Sequence, residues 1–270
     1  MSFPGLLGFL SRLPFRSEPP AEIARWVAWI PVAGLVLGAL EGSGALLLWY
    51  ILPPWIAAVG ILGVYLAVHG ILHLDGLSDV ADAWASGGGT PEARRRVLKD
   101  PHAGTAGILA VALSILVFYE TVQHGVWQGV RVVGLVPVDA AIRIPGVTLL
   151  FAFVVAETCA GMGMVALAYF GSPMEGSVLA RPFVEGARGK ELAIALVTSL
   201  AVTFLLGGAL VLLVPAAVAV AWALHRSLGR TLGGVNGDGL GTVQVLVFLA
   251  SLVVAAVVPW WPPGLRGPFP

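Results

Sequence analysis

Seven stretches of this chain, near residues 25–50, 54–72, 107–125, 146–171, 191–207, 209–228 and 243–258, are apolar over much of their length. Each comes close to the span a helix needs to cross about 30 Å of hydrocarbon at about 1.5 Å per residue. Charged residues make up 11% of the 270 and hydrophobic ones 58%, whereas soluble domains carry about 25% charge. With a mean hydropathy of +0.92, no single soluble core could hide so much apolar side chain, so lipid must solvate part of it. The pattern predicts an all-α, polytopic membrane protein of about seven transmembrane helices, folded as one integral-membrane domain over residues 1–270. Residues 128–145 are interrupted by Arg131, Asp139, Arg143 and two prolines, which suits an interfacial or broken helix.

Formal net charge is zero, and the fifteen Lys and Arg are scattered through loops. A nucleic-acid partner is therefore excluded. Cys159, the single cysteine, has no disulfide partner and reads as a small packing residue. Arg12 and Arg16 follow the first apolar stretch, the wrong order for a cleaved leader. Phe3, Leu6, Leu7, Leu10 and Leu13 suit a short amphipathic segment in the headgroup region. If the N-terminus is cytoplasmic, seven alternating spans put Arg94–Arg96 with Lys99, then Arg181, Arg188 and Lys190, then Arg226 and Arg230 on that same side. Only Arg131, Arg143 and Arg266 fall opposite, as the positive-inside bias requires. Gly34-x-x-x-Gly38 and Gly60-x-x-Gly63 point to close helix packing.

The densest chemistry lies at the end of the second span, in His69-Gly-Ile-Leu-His73-Leu-Asp75-Gly-Leu-Ser-Asp79-Val-Ala-Asp82. Three aspartates fall within eight residues. On a helix, positions i, i+4 and i+7 fit within an arc of about 60°, so the carboxylates share a stripe. Like charges stacked beside a membrane need compensation, and a hard divalent cation such as magnesium supplies it while bridging to phosphate oxygens. A solvated polar face is the plainer alternative, but such a face would mix charge signs. His69 and His73 point more than about 90° away from that stripe. His69 reads as a hydrogen-bonded structural histidine; His73 could order a metal ligand or move a proton.

The next loop offers Lys99 and His102, followed by Gly104, Thr105 and Gly107 at the start of the third span. Lysine can neutralise phosphate, and free amides at a helix start suit an anion. Arg94–Arg96 read as a lipid-facing basic run. Near the other end, Asn236-Gly-Asp238 offers oxygen ligands, or else simply a tight turn. Glu157 sits amid apolar residues and should face the protein interior, as should Glu41 and Glu120.

Phe9-Leu-Ser-Arg-Leu-Pro14, His73-Leu-Asp-Gly-Leu-Ser-Asp79 with Asp82, Lys99-Asp-Pro-His-Ala-Gly-Thr-Ala-Gly107 and Asn236-Gly-Asp-Gly-Leu-Gly-Thr242 occur in the order and spacing of one family. The chain resembles the cobalamin synthases (adenosylcobinamide-GDP ribazoletransferases) over nearly its whole length. The resemblance implies a magnesium-dependent membrane enzyme that joins adenosylcobinamide-GDP to α-ribazole, or its 5′-phosphate, and releases GMP. It implies metal ligands at Asp75, Asp79, Asp82 and Asp238, and a catalytic group of Asp82, Lys99 and His102. His73, Gly104, Thr105 and Asn236 then fall to substrate. One aspartate can serve instead as general base, and the sequence does not choose which. Many members have Thr-Gly-Asp where this chain has Asn236-Gly-Asp238. Many also have arginine where it has Glu157 or Thr158, so Glu157 is given no catalytic role.

The expected location is the cell (inner) membrane, and the same count of basic loops puts the active site on the cytoplasmic side. Other cobalamin-assembly enzymes and a second copy of the chain are partners the sequence leaves open. Two rivals are weaker. A CDP-alcohol phosphatidyltransferase would carry an arginine after the first aspartates, and none stands there. An ion-coupled transporter would set its carboxylates at mid-bilayer and show internal symmetry.

Overall fold

A computed structural model describes residues 3–15, 19–87, 89–125 and 146–258; the stretch 128–145 lies outside the described residues. The described chain is helical: α1 (Phe3–Leu10), α2 (Pro20–Ile23), a 3-10 turn (Ala24–Trp29), α3 (Ile30–Ile51), α4 (Pro54–His69), α5 (Leu72–Ala85) and α6 (Pro91–Val97). There follow α7 (Thr105–His124), α8 (Val147–Phe170), α9 (Ala180–Gly186), α10 (Gly189–Gly207), α11 (Leu213–Thr231) and α12 (Gly237–Val257). Among the described residues, five helical stretches are long and apolar enough to cross a membrane, or six if α4 and α5 form one broken span.

Every residue of α8 from Ala152 to Ala168 is buried. A helix apolar on all sides belongs at the centre of a bundle, and α3, α10, α11 and α12 surround it. Helices in lipid gain little from apolar burial alone, so close backbone approach matters more. Here α3 provides a glycine every fourth residue. A Cβ on Gly38 would lie 2.6 Å from the Phe153 carbonyl oxygen, and one on Gly42 would lie 2.6 Å from that of Leu150. Gly34 meets Glu157 in the same way, so the two helices run antiparallel in backbone contact. Gly60 packs on Leu48, whereas Gly63 faces open space. Ile51, Trp55, Val59, Leu113, Leu116, Phe204, Leu205 and Leu212 are all more than half exposed, an apolar girdle that fits hydrocarbon rather than water.

Three details differ from the sequence reading. Leu6, Leu7 and Leu10 of α1 are buried in the protein core, and the Phe9 ring stacks on Phe183 at 5.2 Å. The apolar face expected to lie among headgroups is turned onto the protein instead, because α1 covers the end of α4. Arg12 donates its backbone N–H to the Val68 carbonyl at 2.6 Å. Second, the two apolar runs 191–207 and 209–228 form one 43-residue helical stretch broken by a 3-10 turn at Gly208–Leu212. Gly208, at φ 54°, opens that turn. The stretch goes out and returns, since both its ends lie where α8 finishes. Val235, just beyond α11, pairs with Pro173, just beyond α8. Gly186, just before α10, abuts Ala24 of the 3-10 turn that leads into α3. Glu120 also differs, for it is exposed on α7 beside His124 at 3.3 Å.

Candidate active site

The acidic helix owes its position to a break. At Gly70–Ile71 the chain leaves α4 and enters α5 at 91°. Gly70 has φ 68°, a left-handed conformation that disfavours a side chain, and Arg12 fills the space a Cβ would occupy. The turn sends His73, Leu74, Leu77, Val80 and Ala83 inward. The opposite stripe carries Asp75, exposed, and Asp79 and Asp82, half-buried.

The second motif reaches this stripe through Gly76. A Cβ there would lie 2.8 Å from the Asp238 carbonyl oxygen, and Thr242 donates its hydroxyl to the Gly76 carbonyl at 3.1 Å. The start of α12 therefore rests directly on α5, and Asp238 joins the acidic group from the far end of the sequence. Asp79 faces the negative charges of Asp238, Asp75 and Asp82, and Asp238 faces that of Asp75. The four carboxylates form one electronegative patch centred on Asp79.

Asp82 has a further task. Its two oxygens accept the backbone N–H groups of Gly104 at 2.7 Å and Gly107 at 2.9 Å. It thus caps α7 from another helix, satisfying donors that a helix start leaves free and placing negative charge at the positive dipole end. These are the amides that the sequence offers to a substrate anion; here a carboxylate of the protein takes them. A side chain at either glycine would strike Asp82.

The remaining positions separate clearly. Asn236 is 4% exposed and caps α12: its Oδ1 accepts from the Gly239 N–H at 2.9 Å while its Nδ2 donates to Asp238. The turn reading and the ligand reading therefore merge, since this cap also orients a carboxylate. His73 is 5% exposed and lies against Gly241 of α12, its ring 5.2 Å from that of His69, on the face of α5 opposite the aspartates. Substrate contact by His73 does not follow from that placement. Lys99, His102 and Thr105 are exposed around the start of α7. His102 bonds Asp100 through both backbone N–H and ring, which holds the Asp100 carboxyl below the usual carboxylate range.

One contributor went unread in the sequence. Arg95, part of a run assigned to lipid, donates Nε to the Leu232 carbonyl at 2.8 Å and pairs with Glu175 at 3.0 Å. It ties α6 to the loop before α12. Nothing in three consecutive arginines singles out the middle one.

An Asn236→Ala variant is expected to lose about 1 kcal/mol of stability, the usual worth of an N-cap, whereas Asn236→Thr keeps most of it. Thermal unfolding in detergent separates the two, and an alanine variant as stable as wild type would remove the cap from the account.

The fold and this patch define a polytopic helical membrane protein with an acidic site at the end of the bundle where α8 stops. The chain belongs to the cobalamin-5-phosphate synthase family, whose model matches residues 2–256. It is 31% identical over 254 residues to an adenosylcobinamide-GDP ribazoletransferase of Pseudomonas aeruginosa, covering 93% of this chain and 96% of the relative. The protein of that name from Methanosarcina barkeri is 30% identical over 268 residues, covering 96% and 92%. The one from Syntrophobacter fumaroxidans is 33% identical over 261 residues, covering 93% and 96%. No solved structure gives a significant match.

Proposed function

We propose that this chain is an adenosylcobinamide-GDP ribazoletransferase, a single membrane domain that joins adenosylcobinamide-GDP to α-ribazole or α-ribazole 5′-phosphate and releases GMP. The observation that carries this reading is the near-full-length likeness to relatives bearing that name. The chemistry of the patch agrees with it, because transfer of a substituted phosphate rests on positioning and charge neutralisation more than on covalent help. A ribose hydroxyl oxygen of the ribazole bonds to the phosphorus attached to cobinamide. The bond from that phosphorus to the bridging oxygen breaks, GMP departs with the electron pair, and the hydroxyl proton passes to a carboxylate of the patch.

The donor set suits magnesium. Asp75, Asp79, Asp82 and Asp238 offer hard oxygen donors alone, and their water-accessible placement fits an ion that keeps several of its waters. Asp75, Asp79 and Asp238 would hold it, with the lone pairs that Asp82 retains beyond its two amide bonds. When bound, the ion would neutralise diphosphate charge. Lys99 and His102, on the loop that Asp82 anchors, reach toward phosphate, and Thr105 stands beside them. Asn236 keeps Asp238 turned to the site. Arg12, Arg25, Arg95 and Lys99 belong to the same end of the bundle as the patch, which favours a site on the cytoplasmic side of the cell membrane.

Lipid-reconstituted protein given both substrates and magnesium is expected to release GMP, to stop on addition of EDTA and to resume when excess magnesium is restored. No GMP with any divalent ion in any lipid would overturn the assignment.

A further inference from the structure

Away from the aspartates, three titratable side chains meet inside the bundle: Glu41 of α3, His69 at the end of α4 and Glu157 of α8, exposed by 0%, 3% and 3%. His69 Nε2 lies 3.0 Å from Glu41 Oε1 and 3.3 Å from Glu157 Oε1. One ligand atom from each of the three falls within 4.8 Å of the others.

The protons at this point decide what can occupy it. His69 Nδ1 stands 3.1 Å from the Leu10 carbonyl oxygen. A carbonyl only accepts, so Nδ1 carries a hydrogen, and in the neutral ring the lone pair then lies at Nε2, facing both carboxylates. Gln244 donates its amide to both oxygens of Glu157, at 3.2 and 3.3 Å, and its own oxygen accepts from the Tyr65 hydroxyl at 3.3 Å. Apart from the contacts within this trio, both oxygens of Glu41 and Nε2 of His69 are buried without a hydrogen-bond partner among the described residues. With the ring neutral, lone pairs converge on one point from three helices, at side chains almost wholly buried.

We infer that Glu41, His69 and Glu157 form a buried site for one divalent transition ion of the zinc class. Two carboxylates and a neutral imidazole sum with such an ion to zero charge, which an apolar surround demands. The nitrogen among the ligands selects a borderline metal over magnesium, whose partners are oxygens. The 3.0 and 3.3 Å separations of His69 Nε2 from the two carboxylates are close to the spacing of about 3.3 Å between ligands that stand about 2.0–2.1 Å from a tetrahedral zinc. A histidine that gives its other N–H to a backbone carbonyl is the usual posture of a metal-bound one, and Gln244 with Tyr65 behind it holds Glu157 in place. The ion joins α3 and α8 to the last turn of α4, immediately before the break that aims α5. It is distinct from the aspartate patch and does not depend on the proposed activity.

The test uses the full chain in detergent, stripped with chelator, loaded with zinc chloride and desalted. Elemental analysis is expected to find about one zinc per chain in wild type and in the Asp75→Asn, Asp79→Asn double variant. Glu41→Gln and His69→Gln should hold at least about tenfold less at the same loading. Gel filtration and circular dichroism report whether Glu41→Gln has folded. If it has not, X-ray absorption on zinc-loaded wild type decides: a shell mixing imidazole nitrogen with oxygen supports the site, and an all-oxygen shell overturns it. Wild type that retains no zinc would mean that shared protons balance the carboxylates, which also overturns it. Zinc lost from the aspartate double variant but kept by Glu41→Gln would move the ion to the patch and end the proposal.

Discussion

Asp79→Asn is expected to lower kcat/KM for GMP release by at least about 100-fold, the scale of losing a positioned electrostatic group at a phosphoryl centre. Asparagine keeps the shape and removes the charge. Asp79 is the position to choose because it faces the charges of Asp75, Asp82 and Asp238 together. Its neighbours Asp75 and Asp238 remain, so the loss should shrink as magnesium is raised. A magnesium titration of initial rates, with circular dichroism to confirm the fold, reads out both effects. Activity within about threefold of wild type at ordinary magnesium would remove the patch from the chemistry.

Gly76→Val should abolish GMP release while leaving all four carboxylates in the chain. The backbone of Asp238 occupies the space where the first side-chain carbon would go, at 2.8 and 2.9 Å from oxygen and Cα. That neighbour is main chain and cannot swing aside as a flexible side chain would. Helices α5 and α12 must therefore part, breaking the Thr242 bond to the Gly76 carbonyl and drawing Asp238 away from Asp75 and Asp79. Overpacking of this kind costs typically about 1–3 kcal/mol, so the protein should still be recovered folded but with a lower thermal midpoint. A Gly76→Val protein with normal turnover would show that the two motifs work apart.

These expectations rest on features of unequal legibility. Asp75, Asp79 and Asp82 were readable as a stripe because helical periodicity alone sets their direction, and α5 runs unbroken from Leu72 to Ala85. Family resemblance brought in Asp238, but only Gly76 explains how it arrives. Glu157 and Glu41 were legible as inward-facing, since lipid would not accept them; Glu120 was not, because a helical neighbour, His124, meets it at the surface. The grouping of Glu41, His69 and Glu157 could not be read, for it takes three helices and the carbonyl of Leu10. Nor could the capture of the Gly104 and Gly107 amides, where an internal carboxylate outcompeted the ligand that a glycine-rich helix start suggests. The right-angle break was equally silent: Gly70 marks where a chain can turn, without fixing the angle.

Because α5 leaves α4 at 91°, its carboxylates stand side by side at one level instead of descending one below another. Along the helix, Asp75 and Asp82 are about 10 Å apart, and with α4 upright that length lies flat. Under the proposed function, a corrinoid nucleotide, bulky and strongly hydrated, would draw up lengthwise like a vessel at a quay and hand over its phosphate without any part of it sinking into oil.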